Sequence, residues 1–111
     1  MTTHSPAIPL HITQFIDDHA PGYVACTLRD AHGIEHKFIL TTRAAGRPEL
    51  AADSSYPQPG ALACEIEFEW EDDAGTALAR VSTRRPWAAA SIDGMSSFVV
   101  AAAQLLRAPA V

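Results

Sequence analysis

The densest chemistry in the chain is a run of acids. Glu65, Glu67, Glu69, Glu71, Asp72 and Asp73 put six carboxylates into nine residues, and the four glutamates alternate with Ile66, Phe68 and Trp70. On a strand, that alternation lines the glutamates along one face at intervals of about 7 Å. Like charges so close repel unless Arg43, Arg47, Arg80, Arg84 or Arg85 answers them. Such a face either guards a sheet edge against the addition of another strand or forms a negative docking surface for a basic partner protein, salt-sensitive and fast to engage. These six acids are the candidate partner-binding residues.

A second cluster has the opposite sign. Arg84-Arg85-Pro86-Trp87 places two guanidiniums beside an indole, a combination that can hold an anion or stack on a base. The plainer expectation is that Trp87 closes the core while the arginines pair with nearby acids. With His36, an imidazole on an otherwise apolar strand face, Arg84, Arg85 and Trp87 form the alternative ligand-binding set. His32 and His36 would share a metal only on a helix; with His32 in a turn and His36 on the next strand they stand about 13 Å apart. His4, His11 and His19 lack a Cys or carboxylate at ligand spacing beyond Asp17 and Asp18. No Ser lies in a Gly-x-Ser-x-Gly elbow, and no glycine-rich phosphate loop occurs. The expectation is no catalytic residue, no metal, no cofactor and no enzyme activity.

These side chains must be positioned by strands. Pro21-Gly22-Tyr23-Val24-Ala25-Cys26 is echoed by Pro59-Gly60-Ala61-Leu62-Ala63-Cys64, and each copy runs on to a turn, Asp30-Ala31-His32-Gly33 or Asp72-Asp73-Ala74-Gly75. Asp opens such a turn by bonding the backbone two residues on, and Gly ends it in the left-handed conformation. Each copy therefore predicts a hairpin opened by Pro-Gly. In the first, a three-residue loop sets Arg29 opposite Glu35, Leu28 opposite His36, Cys26 opposite Phe38 and Val24 opposite Leu40. In the second, a four-residue loop sets Trp70, Phe68 and Ile66 opposite Ala77, Ala79 and Val81, and leaves all four glutamates outward; a one-residue slip would exchange the faces. Cys26 and Cys64 are expected in the core as small hydrophobes.

Ile8, Leu10 and Ile12 alternate and predict a first strand to about Phe15-Ile16, before an Asp17-Asp18-His19 break. Thr42 to Tyr56 reads as a long loop, with one helical turn around Pro48 to Ala52. After Trp87 come a short Ala-rich strand, a turn at Asp93-Gly94, a strand to Val100 and a helical turn. The fold class is mainly β: a single domain over residues 1–111, a small barrel or roll of about six strands built on two repeated hairpins, with a long central loop and a short C-terminal helical turn.

The chain of 111 residues has 13 Asp+Glu against 8 Lys+Arg, a formal net charge of -5, and 48% hydrophobic residues, 21 of them Ala. A single Lys, Lys37, on an acidic chain makes nucleic acid an unlikely partner. Two cysteines are too few for a disulfide-stapled scaffold. No apolar run approaches the roughly 20 residues that span a bilayer, and the N-terminus lacks a basic start and apolar stretch, so the expected compartment is the cytoplasm.

Pro21-Gly22 leading to Cys26, Tyr56-Pro57-Gln58-Pro59-Gly60 leading to Cys64, and Arg85-Pro86-Trp87 together resemble a group of small, uncharacterised bacterial proteins. The resemblance runs from about Phe15 to Leu106 and implies one intact domain of bacterial origin, without an assigned activity. In that group Trp is often followed by Gly; here the residue is Ala88. The sequence thus favours a small acidic cytoplasmic protein-binding domain, in concrete form a toxin-neutralising immunity protein. The alternative is a β-barrel binding nucleotides or single-stranded nucleic acid. A third option is a homo-oligomer formed by edge-strand pairing.

Overall fold

The computed structural model describes residues 6–17 and 22–107. Asp18, His19, Pro21 and His4 lie outside the described residues. Seven strands follow in order: β1 (Ala7–Asp17), β2 (Tyr23–Arg29), β3 (Glu35–Thr41), β4 (Gln58–Ala63), β5 (Glu65–Glu71), β6 (Ala77–Ser82) and β7 (Ser97–Ala101), with a 3-10 turn over Ala102–Gln104. They form two antiparallel sheets, β3-β2-β1-β4 and β5-β6-β7, and the strand pairing does not close into a barrel.

The β2–β3 hairpin has the register expected of it: Arg29 faces Glu35, Leu28 faces His36, Cys26 faces Phe38 and Val24 faces Leu40. Its turn supplies the reason. Asp30 Oδ1 accepts the His32 and Ile34 amides at 2.8 and 3.0 Å, and Gly33 takes φ 80°, the left-handed region that a side chain resists. The β5–β6 turn repeats this chemistry. Asp72 Oδ1 accepts the Ala74 and Thr76 amides, both at 2.9 Å, Gly75 has φ 81°, and Asp72 N–H bonds the Thr76 carbonyl as Asp30 N–H bonds Ile34. Both loops are therefore three residues long.

This corrects the four-residue loop expected for the second hairpin. Trp70 faces Leu78 and Phe68 faces Arg80, not Ala77 and Ala79. A β-bulge at Glu67 then absorbs one residue, so Ile66 still meets Val81. The repeat is also broken at Cys64, whose amide bonds the Pro6 carbonyl at 2.9 Å. Upstream of it β4 pairs with β1, and downstream β5 pairs with β6. The second Pro-Gly copy thus opens a strand of one sheet and not the hairpin of the other, which is why seven strands appear.

Ile8, Leu10 and Ile12 of β1, Leu28 of β2, Phe38 of β3 and Leu62 of β4 meet Val81 of β6 and Val100 of β7 in one core. Each such side chain contributes about 1.5–3 kcal/mol on burial. Backbone bonds join the sheets: Ala7 exchanges bonds of 2.9 and 2.8 Å with Leu106, and Ala31 N–H reaches the Val99 carbonyl at 2.9 Å. The last strand gives way to one 3-10 turn, as expected. Residues 42–57 form the long loop; around Pro48 there is a single hydrogen-bonded turn, Leu50 N–H to the Arg47 carbonyl, and no helix. Ala88–Ala90 form no strand. Instead Thr83 holds Ala89 from both sides, its carbonyl accepting the Ala89 amide at 2.9 Å and its hydroxyl donating to the Ala89 carbonyl at 2.8 Å. No helix among the described residues is long and apolar enough to cross a membrane.

Candidate functional site

The bulge at Glu67 decides where the acidic run points. Residues directly opposite in an antiparallel ladder share a face. Ile66 opposite Val81 faces the core, while Phe68 opposite Arg80 and Trp70 opposite Leu78 lie on the outer face. Glu69 opposite Ala79 therefore falls on the side of Val81, as does Glu71 opposite Ala77. The single glutamate face expected from alternation does not exist, because a one-residue bulge exchanges the faces halfway along β5.

Most of the acids are also answered. Arg80 Nε stands 3.5 Å from Glu67 Oε1, Arg85 Nε 3.7 Å from Glu65 Oε1, and Arg107 Nη2 2.8 Å from Glu69 Oε1. Asp72 is committed to its turn. Glu71 and Asp73 make no ion pair or side-chain hydrogen bond among the described residues. Three arginines against six carboxylates still leave the hairpin acidic.

What alternation hid is the aromatic pair. Phe68, expected in the core, is 57% exposed. It stacks on the half-buried Trp70 with ring centroids 5.3 Å apart and an interplanar angle of 30°. Strand β5 is an edge strand. The pair therefore sits on an open sheet margin, with carboxylates on both sides of it in sequence.

The members of the alternative set each have surroundings of their own. His36 Nε2 lies 2.8 Å from Asp30 Oδ2, with both side chains 10% exposed, and its ring meets Phe98 edge-on at 4.8 Å. Burial pushes the Asp30 carboxyl up, but His36 and the Ile34 and His32 amides outweigh it and hold the group below the usual carboxylate range. This is a satisfied histidine that ties the turn to its own strand. Arg85 turns to Glu65, and Arg84 Nε reaches Ser96 Oγ at 3.4 Å. Trp87, expected to close the core, is instead 42% exposed.

Trp87 lines a groove of about 490 Å³ with Tyr23, Ile39, Thr41, Arg43 and Ala88. Its neighbour Ala88 sits at φ 52°, the only non-glycine residue with positive φ among the described residues. This conformation costs an L-residue about 1 kcal/mol or more. Tyr23 and Ile39 were legible as apolar residues on the solvent face of alternating strands; Arg43 entered the sequence reading only as a possible counter-ion of the acidic run, and it pairs with none of those acids among the described residues. A depression of about 580 Å³ bordered by His11, Arg29 and Glu35 lies elsewhere.

Cys26 and Cys64 are free and buried. Burial raises their thiols to about 12 and about 11, so both are neutral near pH 7 and poor nucleophiles. Among the described residues no three His, Cys, Asp or Glu side chains are placed to share a metal ion. No protein-family model, curated protein or solved structure matches this chain.

Proposed function

We propose that the chain is a small, non-enzymatic protein-binding domain whose β5–β6 hairpin docks a basic partner, a toxin-neutralising immunity protein being its most concrete form. The two sheets, stitched through Leu106 and Val99, are read as an open roll that presents this hairpin. The observation that supports docking is the stacked Phe68–Trp70 pair on an edge strand, amid acids. Aromatic anchors within a polar rim are where interface energy concentrates. The acids Glu65, Glu67, Glu69, Glu71, Asp72 and Asp73 then divide by role. Glu71 and Asp73 are free to steer a basic surface, Asp72 holds the turn, and Glu65, Glu67 and Glu69 exchange their arginines with the partner.

Capture of partners from the native cell at low and high ionic strength tests this reading, with wild type, Phe68→Ala, and the double variant Glu71→Gln/Asp73→Asn as baits. Removing the aromatic anchor weakens a retained basic partner by about 30-fold or more at either ionic strength. The charge variant slows association severalfold at low salt alone. A partner held equally by all three baits sinks the proposal.

A further inference from the structure

Strand β3 is one of the two edge strands of the four-stranded sheet. Its backbone groups alternate in direction: the pairs Asp30/Ile34 and Gly22/Thr42 exchange or share ladder bonds, so His36, Phe38 and Leu40 point their amides and carbonyls toward β2, while Lys37, Ile39 and Thr41 point theirs outward. The Lys37 carbonyl is taken by the Ile92 amide at 2.8 Å, which shows that a neighbouring segment already pairs with this edge. At the next outward position the pairing stops. The Ile39 N–H and carbonyl and the Thr41 N–H have no partner among the described residues, and they border the groove.

The walls of that groove suit the same kind of guest. Trp87 and Tyr23 offer partly exposed aromatic surface, and an added strand projects alternate side chains to opposite faces. Arg43 lies on the groove just past the end of β3. Its guanidinium has no partner among the described residues; Arg29 is likewise unpaired but borders the other depression, and Arg47, Arg80, Arg84, Arg85 and Arg107 are engaged. A lone guanidinium at the end of an open edge matches one planar carboxylate, which it can hold through two parallel bonds. A polyphosphate would need more positive charge than the groove supplies.

We propose that this groove binds the free C-terminus of a short extended peptide, which adds to β3 at Ile39 and Thr41 and places its carboxylate on Arg43. The site is separate from the β5–β6 hairpin and does not depend on the docking role given to it.

The test is amide and indole NMR of the full chain titrated with a pool of acetylated tetrapeptides bearing free C-termini, with the same pool amidated, and with adenosine monophosphate. The acid pool shifts Ile39, Thr41 and the Trp87 indole saturably. Amidation, or Arg43→Gln in a protein with unchanged spectra elsewhere, weakens binding by about tenfold or more. Phe68→Ala leaves it unchanged, which separates this site from the hairpin. Absence of saturable shifts with the acid pool, equal binding of the amidated pool, or shifts produced by the nucleotide alone overturns the proposal.

Discussion

The two hairpins begin from the same instruction and finish differently. Asp30-Ala31-His32-Gly33 and Asp72-Asp73-Ala74-Gly75 build the same three-residue turn, with the same pair of amides on the aspartate. From its turn β2–β3 runs back to Tyr23 and Thr41 without a slip. In β5–β6 the register shifts at Glu67. The consequence is clearest in two phenylalanines. Phe38 is fully buried opposite Cys26, and Phe68 is mostly exposed opposite Arg80. Turn chemistry fixes where a hairpin starts, but a single extra residue decides which of its side chains the core receives.

The largest effect expected from that contrast is on stability. Phe38→Ala leaves a cavity among Cys26, Phe98 and their neighbours and costs about 3–5 kcal/mol. Phe68→Ala removes a ring already in water, and costs about 1 kcal/mol or less. Chemical denaturation of the two variants measures both numbers. A Phe68→Ala cost close to that of Phe38→Ala would mean that the outer face is covered within the monomer, and the contrast between the hairpins would fail.

Much of the fold was legible for the same reason that the first hairpin was. Ile8, Leu10 and Ile12, the β2–β3 register, the long central loop, and β7 ending in a helical turn all follow from side-chain alternation and turn residues. These signals are local. The bulge at Glu67 is not, because nothing in Glu-Ile-Glu-Phe-Glu-Trp-Glu marks which residue will be left over; Val81 had to claim Ile66 across the ladder. The division of the second repeat at Cys64 depends on Pro6, far away in sequence. The face assignment within β5 failed at the same bulge. Glutamates assigned to one face fell on two, and Phe68 and Trp70, counted as core, moved to the outer face, Phe68 exposed and Trp70 half-buried. Trp87 drew notice for its indole beside two arginines, but Tyr23, Ile39 and Arg43, which line the groove with it, come from β2, β3 and the loop after them, and no spacing rule connects them to it.

A middle-sized effect separates the two turn aspartates. Asp30→Asn and Asp72→Asn both keep an oxygen for the turn amides, so Asp72→Asn changes stability little. Asp30 also holds His36, and replacing its carboxylate costs about 1–2 kcal/mol near neutral pH. The pH dependence carries a sign. The folded Asp30 carboxyl lies below its ordinary value, so its contribution is complete above the unfolded value of about 3.9 and is lost as pH falls through the lower, folded one. The wild-type advantage over Asp30→Asn should therefore hold down to about pH 4 and shrink below it. Denaturation of both proteins across that range checks it, and an advantage that does not vary with acid would place the stabilisation in packing and not in charge.

The smallest effect concerns the acids themselves. Glu69 and Arg107 make the shortest of the three strand pairs at 2.8 Å, with side chains 48% and 49% exposed; the Glu67 and Glu65 pairs are longer at 3.5 and 3.7 Å. Exposed pairs of this kind contribute about 0.2–1 kcal/mol at best and fade in salt. Glu69→Gln should lower stability by a few tenths of a kcal/mol, roughly, and only at low ionic strength, while Glu67→Gln and Glu65→Gln should be closer to neutral. Such weak pairing leaves the arginines easily surrendered to a competing partner, or the glutamates to a basic one. A cost for Glu69→Gln well above 1 kcal/mol, persisting in high salt, would instead make the pair a clasp between β5 and the segment after Leu106. The second hairpin would then be held by charge where the first is held by its core, and its glutamates would not be available for docking.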